Sequence, residues 1–136
     1  MISVSFIDKG PLKGLPRPRT TKAGHIYMPD WVRDRKKEIQ KLYLDAASGA
    51  VFEDRPVYIK MYIYKKMPAT SWSKKHKEEM HLKPAPIKPD VDNVIKLYLD
   101  ALNGLAYKDD AQVVSISAYK IYDYTDSVSL IIQDEL

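Results

Sequence analysis

The sequence predicts a single domain of the α+β class, spanning residues 1–136, with a mixed or antiparallel β-sheet that carries helices on one face. The chain length of 136 residues is typical of one domain. Segments near both termini alternate apolar and polar residues, as half-buried strands do, while two internal segments repeat apolar residues at helical spacing. The resulting order of elements is β, α, β, α, α, β, β.

The first half of the chain predicts a strand, a long loop, a helix and a second strand. The alternating segment ISVSFI is the first strand, and the basic, proline-rich segment after it is an extended loop. A helix then begins at Pro29 or Asp30. The segment RPVYIKMYIYKK, rich in Val, Ile and Tyr, is the second strand. The buried stripe of the helix is predicted to contain Val32, Ile39, Leu42, Tyr43 and Ala46.

The second half of the chain predicts two helices followed by two strands. A short polar helix is capped by Ser71 or Ser73, and the three prolines of KPAPIKPD predict a loop after it. The segment VDNVIKLYLDALNG is the clearest helix in the chain, and Gly104 ends it. The last two strands are AQVVSISAYKIY and SVSLIIQ, joined by the turn DYTD.

Three tyrosines, Tyr58, Tyr62 and Tyr64, share one face of the second strand because side chains alternate along a strand. We interpret them as core residues. Stacking on unpaired bases of a nucleic acid is the alternative.

The composition excludes several classes of protein. The absence of cysteine excludes disulfides, thiolate catalysis and Cys-ligated zinc. No apolar run approaches the roughly 20 residues that span a bilayer, and the N-terminal segment lacks the features of a signal peptide. We therefore expect a cytoplasmic protein that does not interact with membranes.

Basic residues are concentrated in two parts of the chain, from Lys9 to Lys41 and from Lys60 to Lys88, and the net charge is +4. A polyanionic partner such as nucleic acid explains this clustering. The alternative is that these lysines only solvate exposed faces.

Two aspartates, Asp90 and Asp92, stand one residue apart at the start of the second long helix. One of them can be explained as a helix cap. Asp92 and Lys96 can be explained as an ordinary surface ion pair. A cap needs only one carboxylate, however, and two carboxylates repel each other. Helical spacing places Asp92, Lys96 and Asp100 along one edge of the helix.

A second acidic pair, Asp109 and Asp110, follows the end of that helix. A strand running back beside the helix is expected to bring Asp109 or Asp110 towards Asp92. Carboxylates gathered around one point are normally held there by a cation. All-oxygen ligands favour Mg²⁺ or Mn²⁺, and the three histidines lack the spacing of a zinc site.

Other chemistries are excluded by missing motifs. The chain has no phosphate-binding loop of the G-x-x-x-x-G-K-[ST] type, no EF-hand calcium loop and no G-x-S-x-G nucleophile. Carboxylate-bound Mg²⁺ in a basic protein favours phosphodiester chemistry, with Lys96 placed to stabilise charge in the transition state.

The segment KPDVDNVIKLYLDALNGLAYKDDAQV, Lys88–Val113, resembles the signature of the RusA family of Holliday junction resolvases. The upstream segments GPLKGLPRPR and SWSKKHKEE are similar to the basic N-terminal segment and the central helix of that family. The resemblance implies a Mg²⁺-dependent endonuclease, from a bacterium or phage, that resolves four-way junctions as a homodimer in DNA recombination and repair. It also implies that Asp90, Asp92 and Asp110 are essential metal ligands, that Lys96 is the essential lysine, and that Asp109 and Asp100 rank second.

A homodimer agrees with the approximate two-fold symmetry of a junction, which must be cut on two opposed strands. Strand 52–66 or the segment SVSLII is expected to contribute to the dimer interface. The residues expected to bind DNA are Lys13, Arg17, Arg19, Lys22, Lys74, Lys75, Lys77 and Lys88.

Two alternatives stay open on the sequence. A non-catalytic DNA-binding module would show no nicking and no response to Mg²⁺. A metal-dependent nucleotide phosphohydrolase would lose little activity as salt rises, whereas duplex binding falls steeply.

Overall fold

The computed structural model describes residues 1–136 and contains six strands and three helices in the predicted order, with one small hairpin added. The helices are α1 (Asp30–Ala47), α2 (Lys74–Met80) and α3 (Val91–Leu102). The strands are β1 (Ser3–Asp8), β2 (Arg19–Thr20), β3 (Ile26–Tyr27), β4 (Val57–Lys66), β5 (Val113–Asp123) and β6 (Ser127–Gln133). The added hairpin, β2 with β3, lies inside the predicted basic loop. No helix combines the length and apolar character needed to cross a membrane.

The main sheet is mixed, with the strand order β1-β6-β4-β5. Strand β6 is antiparallel to both β1 and β4, whereas β4 and β5 are parallel. Parallel neighbours need a long crossover, and the residues between β4 and β5 that include α2 and α3 provide it. Although β5 and β6 follow each other in the sequence, they do not pair, because β4 lies between them.

The core lies between one face of the sheet and the helices α1 and α3, as the sequence predicts. On β4 every second residue is buried, from Val57 to Ile63. On α1, Val32, Ile39 and Tyr43 are buried, as predicted. The inclusion of Ala46 is wrong, because the buried stripe continues four residues from Tyr43 to Ala47 and leaves Ala46 exposed.

The interpretation of the β4 tyrosines as core residues is also wrong. Because the odd-numbered residues of β4 face the helices, Tyr58, Tyr62 and Tyr64 face the opposite side of the sheet. No helix covers that side. The ring of Tyr62 stacks on that of Tyr119 at a centroid distance of 5.7 Å, and both rings are exposed.

A buried polar cluster holds α3 against the rest of the domain. The carboxylate of Asp8, at the end of β1, accepts hydrogen bonds from Arg35 on α1, from the Tyr98 hydroxyl on α3 at 2.5 Å and from the Gly10 amide at 2.9 Å. Asp8 and Arg35 are each at most 5% exposed. Burial and the neighbouring carboxylate raise the pKa of Tyr98, which therefore remains a protonated donor.

The crossover between β4 and α3 covers part of the sheet edge. Helix α2 begins at Ser73, whose hydroxyl caps it by accepting from the His76 amide at 3.1 Å. Main-chain hydrogen bonds then join residues 82–85 to Lys120 and Tyr122, near the end of β5. The chain therefore reaches the start of α3 beside the end of β5.

Candidate active site

The start of α3 places Asp90 among cations. Asp90 is the N-cap residue, but its side chain makes no capping hydrogen bond to the helix. Its carboxylate instead accepts from Lys88 Nζ at 2.7 Å. The hydrogen bond from Lys88 holds the pKa of Asp90 below its usual range, and the charge of Lys120 acts in the same direction. The carboxylate of Asp90 therefore does not act as a helix cap.

Strand β5 supplies Lys120 to this end of the helix. Its ammonium donates to the Pro89 carbonyl at 2.7 Å and to the Ile87 carbonyl. These bonds fix the loop that carries Asp90. Nothing in the sequence marks Lys120, since a lysine inside a strand pattern is typical of an ordinary surface residue.

One exposed edge of α3 carries Asp92, Lys96 and Asp100, as the helical spacing predicts. The ion pairs along this helix are Lys88 with Asp90 and Lys36 with Asp100, the latter at 3.8 Å, and neither Asp92 nor Lys96 takes part in one. Asp92 and Lys96 therefore do not form the surface ion pair that was the alternative. Both side chains are exposed to solvent.

A groove of about 420 Å³ lies between the basic N-terminal loop and the start of α3. On the helix side its lining includes Asp90, Asp92 and Lys96, and on the loop side it includes Arg17. The loop is held in place by the Leu15 amide, which donates to the Asn93 carbonyl at 2.8 Å. The groove therefore combines two carboxylates with two cations.

The loop can approach the helix this closely because of a glycine. A Cβ atom added at Gly14 would lie 2.7 Å from the Cβ of Asn93. Any side chain at this position would push the loop, and Arg17 with it, away from the helix.

The second acidic pair lies just before β5, in a 3₁₀ turn from Asp110 to Gln112. Asp109 has a structural role, because its carboxylate accepts from the Ala111 amide at 3.4 Å in a capping box with Gln112. Asp110 has no such role. A hydrogen bond with Asp109, and then the charges of Asp109 and Asp100, raise the pKa of Asp110.

The side chain of Gln112 fixes this turn to the loop before β4. Its Nε2 donates to the carbonyls of Phe52, Glu53 and Arg55 at 2.7, 2.6 and 3.1 Å. Its Oε1 accepts from the Lys108 amide at 2.9 Å. This role of Gln112 was not predicted, although an acidic residue followed three positions later by glutamine is the signal of a capping box.

The structure does not bring Asp110 to Asp92 within one chain, so the expected convergence is wrong for the single protomer. Along α3, the eight residues from Asp92 to Asp100 rise about 12 Å, and Asp110 lies beside Asp100. Along β5, the distance from Val113 to Lys120 is about 23 Å, and Lys120 contacts the loop that carries Asp90. The two acidic pairs therefore lie near opposite ends of both elements.

The carboxylates fit a hard cation by their chemistry but not by their number. Oxygen ligands suit Mg²⁺, and neither Asp92 nor Asp110 has a structural partner that accounts for it. However, the chain contains no group of three or more His, Asp or Glu side chains close enough to hold one metal ion. Within one protomer, each end of α3 supplies only part of such a site.

The residues expected to bind DNA are all on the surface, but some of their charged groups are already bound to other groups of the chain. Arg17 lines the groove, and Lys13 lies over the Trp31 ring at 4.7 Å from its centroid. The ammonium of Lys77 is used locally, since it donates to the Ala69 carbonyl at 2.9 Å. The ammonium of Lys88 is likewise used locally, in the ion pair with Asp90. The others are exposed: Arg19, Lys22, Lys74 and Lys75.

Comparison with known proteins identifies the family of this chain. The family model described as endodeoxyribonuclease RusA matches residues 9–133 of the chain. The chain is also 34% identical over 139 residues to the uncharacterized protein YqaN of Bacillus subtilis (strain 168), covering 98% of each sequence. The family match includes the groove, both acidic pairs and three of the four strands of the main sheet. The chain therefore belongs to the RusA family of endodeoxyribonucleases.

Proposed function

We propose that this protein is a Mg²⁺-dependent endonuclease that resolves four-way DNA junctions in recombination and repair, acting as a homodimer on two opposed strands. The observation that carries this proposal is the groove at the start of α3. There, Asp92 and Lys96 are exposed without ion-pair partners beside a basic loop, in a chain of a nuclease family.

The aspartates argue against a module that only binds DNA. A carboxylate repels the phosphate backbone, so a binding surface has no use for Asp90 and Asp92 unless a cation accompanies them. Neither side chain caps the helix, and Asp92 contributes to no ion pair. Because Lys88 already pairs with Asp90, it is the unpaired charge of Asp92 that a bound divalent ion best explains.

The metal site we propose takes ligands from two subunits. Asp90 and Asp92 would hold the ion on one side, and Asp110 of the partner subunit would complete the set of three carboxylates. The partial sets at the two ends of α3 support this arrangement. When bound, the ion would lower the pKa of an attacking water and neutralise charge on the phosphate.

The side chains around the ion would orient the substrate. Lys96 lies one helical turn from Asp92, where its ammonium can donate to a phosphate oxygen as negative charge develops. Arg17 faces the same groove from the loop and can hold a neighbouring phosphate. Lys120 would act indirectly, by fixing the backbone that carries Asp90.

The direct test is cleavage of a synthetic four-way junction and of a matched linear duplex, with and without Mg²⁺. We expect paired cuts in opposed strands of the junction only when Mg²⁺ is present. Junction binding without any cleavage would support the DNA-binding module instead. Hydrolysis of free nucleotides that persists at high salt would support the phosphohydrolase.

The shared metal site has its own test, which mixes two inactive variants. In a dimer of Asp92→Asn with Asp110→Asn, one site carries both substitutions and the other carries none. Co-folding equal amounts should therefore restore about a quarter of the wild-type sites, half of the dimers having one intact site. If the site lay within one chain, the mixture would cleave no faster than either variant alone.

A further inference from the structure

The side of the main sheet that no helix covers, which we call the open face, carries an exposed pair of aromatic rings. On β4 this face presents Tyr58, Lys60, Tyr62 and Tyr64, because alternate residues of the strand are buried on the other side. The ring of Tyr119, from the neighbouring β5, stacks on that of Tyr62 with an angle of 19° between the ring planes. Tyr62 is 37% exposed and Tyr119 is 57% exposed, so both rings can still contact a ligand.

A hollow of about 180 Å³ lies beside this stacked pair. Its lining includes both rings together with Lys60 and Ser117, which are cross-strand neighbours on β4 and β5. The ammonium of Lys60 is exposed and enters none of the ion pairs of the chain. The hollow therefore combines aromatic surface with an unpaired cation and a hydroxyl group.

The net charge of the open face around β4 is positive. The residues of β4 on this face lie between residues of β5 on one side and residues of β6 on the other. These neighbours are Ser115, Ser117, Tyr119 and Ile121 of β5 and Ser127, Ser129, Ile131 and Gln133 of β6. Lys60 is the only charged residue of the whole group, so a ligand with negative charge is favoured.

The chemistry of the open face fits a nucleotide whose base is unpaired. Aromatic side chains stack on the faces of bases, which are accessible in a single strand but covered by neighbouring pairs in a duplex. A cation and a hydroxyl beside the rings can bind the phosphate of the same nucleotide. In other proteins, open four-stranded sheets bind single strands by stacking two or three bases on aromatic side chains.

The composition of the open face argues against a protein partner. Serine and lysine are depleted at the centres of protein interfaces, whereas here Ser117 and Lys60 directly border the aromatic pair. Further serines surround it on both neighbouring strands. Hydroxyl groups and a lysine are, by contrast, ordinary contacts of a sugar-phosphate backbone.

We propose that the open face of the main sheet binds single-stranded DNA, with a base stacked on the Tyr62–Tyr119 pair and a phosphate bound by Lys60. DNA is the nucleic acid on which the family of this chain acts. From Tyr58 to Tyr64 the strand rises about 20 Å, so the bound segment extends over several nucleotides. Helix α3 packs on the opposite side of the sheet, so this site is separate from the groove at its start.

The first experiment compares two single-stranded probes by fluorescence anisotropy in the absence of metal. One probe is an oligothymidylate of about ten nucleotides, and the other is an abasic chain with the same number of phosphates. We expect the oligothymidylate to bind at least about fivefold tighter, because only its bases can stack on tyrosine rings. Equal affinities would show that phosphates alone are bound and would overturn the proposal.

Variants of Tyr119 separate stacking from other contacts. Tyr119→Ala should weaken oligothymidylate binding at least about fivefold and leave the abasic probe unaffected. Tyr119→Phe keeps the ring and should bind within about twofold of the wild type. Tyr124→Ala is the matched control, because Tyr124 is 49% exposed but lies in the turn after β5, outside the open face.

Three outcomes with these tyrosine variants would contradict the proposal. Unchanged affinity in Tyr119→Ala would show that this ring does not contact the bases. A loss in Tyr119→Phe equal to that in Tyr119→Ala would assign the effect to the hydroxyl group instead of the ring. An equal loss in Tyr124→Ala would show that any exposed tyrosine has the same influence.

The salt dependence of oligothymidylate binding tests the role of Lys60. Lys60→Ala should reduce the slope of log affinity against log salt by about 0.7, as for one phosphate contact to a single strand. Lys41→Ala is the control, since Lys41 is an exposed cation on α1, on the other side of the sheet. An equal change in both variants would indicate charge attraction without a defined site. None of these measurements involves Mg²⁺ or cleavage, so this site and the proposed nuclease function can fail independently.

Discussion

The two ends of helix α3 each carry a pair of aspartates, yet the charges around the two pairs differ. At the start of the helix, Lys88 and Lys120 balance Asp90, whose pKa is lowered. Near its end, Asp109 and Asp100 crowd Asp110, whose pKa is raised. The charge of Asp90 is therefore balanced within the chain, whereas that of Asp110 is not.

This difference indicates what each end contributes. The start of α3 adjoins a basic groove and can receive a phosphate, since its own negative charge is partly neutralised. No cation pairs with the carboxylates of the turn before β5, because the neighbouring Lys108 binds Asp54. A divalent ion would therefore relieve their repulsion. A metal site that combines the start of α3 in one subunit with Asp110 of the partner subunit would meet both requirements.

The largest expected effect comes from removing one carboxylate at either end. Asp92→Asn and Asp110→Asn should each lower junction cleavage about a thousandfold or more, because each removes a proposed metal ligand. Junction affinity in the absence of metal should be kept. Cleavage rates and gel-shift affinities of purified variants measure both quantities.

The neighbouring Asp109 provides the control for Asp110. Its carboxylate caps the 3₁₀ turn, and asparagine is an equally good cap. Asp109→Asn should therefore cleave within a few fold of the wild type. A loss equal to that of Asp110→Asn would show that Asp109 is more than a cap. Normal cleavage by Asp92→Asn would contradict the proposed site.

The next effect concerns the buried cluster that holds α3 between its two ends. Asp8→Asn removes the buried charge that Arg35 and Tyr98 bind. The guanidinium of Arg35 then keeps only the exposed carboxylate of Glu38 as a counter-ion. We expect the free energy of unfolding to fall by about 3–5 kcal/mol. Urea titration followed by circular dichroism measures it.

Asp45→Asn, on the exposed face of α1, should change the same quantity by less than about 0.5 kcal/mol. Equal destabilisation by both substitutions would show that the buried cluster has no special role.

A smaller effect is expected from the basic loop beside the start of α3. Arg17→Ala and Arg19→Ala should each weaken junction binding and reduce the slope of log affinity against log salt by about 1, as for one lost phosphate contact. Lys77→Ala is the control, because its ammonium already binds the Ala69 carbonyl. Unchanged junction affinity in both arginine variants would show that the loop does not contact DNA.

The smallest effect is a change in titration at one end only. Nuclear magnetic resonance of the metal-free protein should show Asp90 deprotonating at lower pH, and Asp110 at higher pH, than an ordinary aspartate. Lys88→Ala should raise the pKa of Asp90 towards its usual value, since the hydrogen bond to the carboxylate is lost. Asp110 should be unaffected, and a joint shift of both residues would contradict their separation.

Local features of the fold were predictable because they depend on neighbours in the sequence. Helix α3 runs over Val91–Leu102, as its apolar spacing predicts, and Gly104 follows it with a positive φ of 78°. The exposed edge of Asp92, Lys96 and Asp100 follows from the same spacing. Membership of the nuclease family was recognisable from the segment Lys88–Val113.

Features that depend on strand order were not predictable from one sequence. The strands β4 and β5 are parallel neighbours, and this pairing sets the distance between Asp110 and Asp90. Similarly, alternation places Tyr58, Tyr62 and Tyr64 together but does not say which face of the sheet the helices cover. The role of Lys120 depends on a contact between segments about thirty residues apart.

The central position of β6 has a consequence for synthesis of the chain. Residues 127–133 are the last strand to leave the ribosome, yet they separate β1 from β4 in the finished sheet. Until they emerge, β1 has no strand to join, and the apolar faces of β1 and α1 stay partly uncovered. The nascent chain is therefore expected to remain protease-sensitive until residues 127–133 have emerged and paired with both strands.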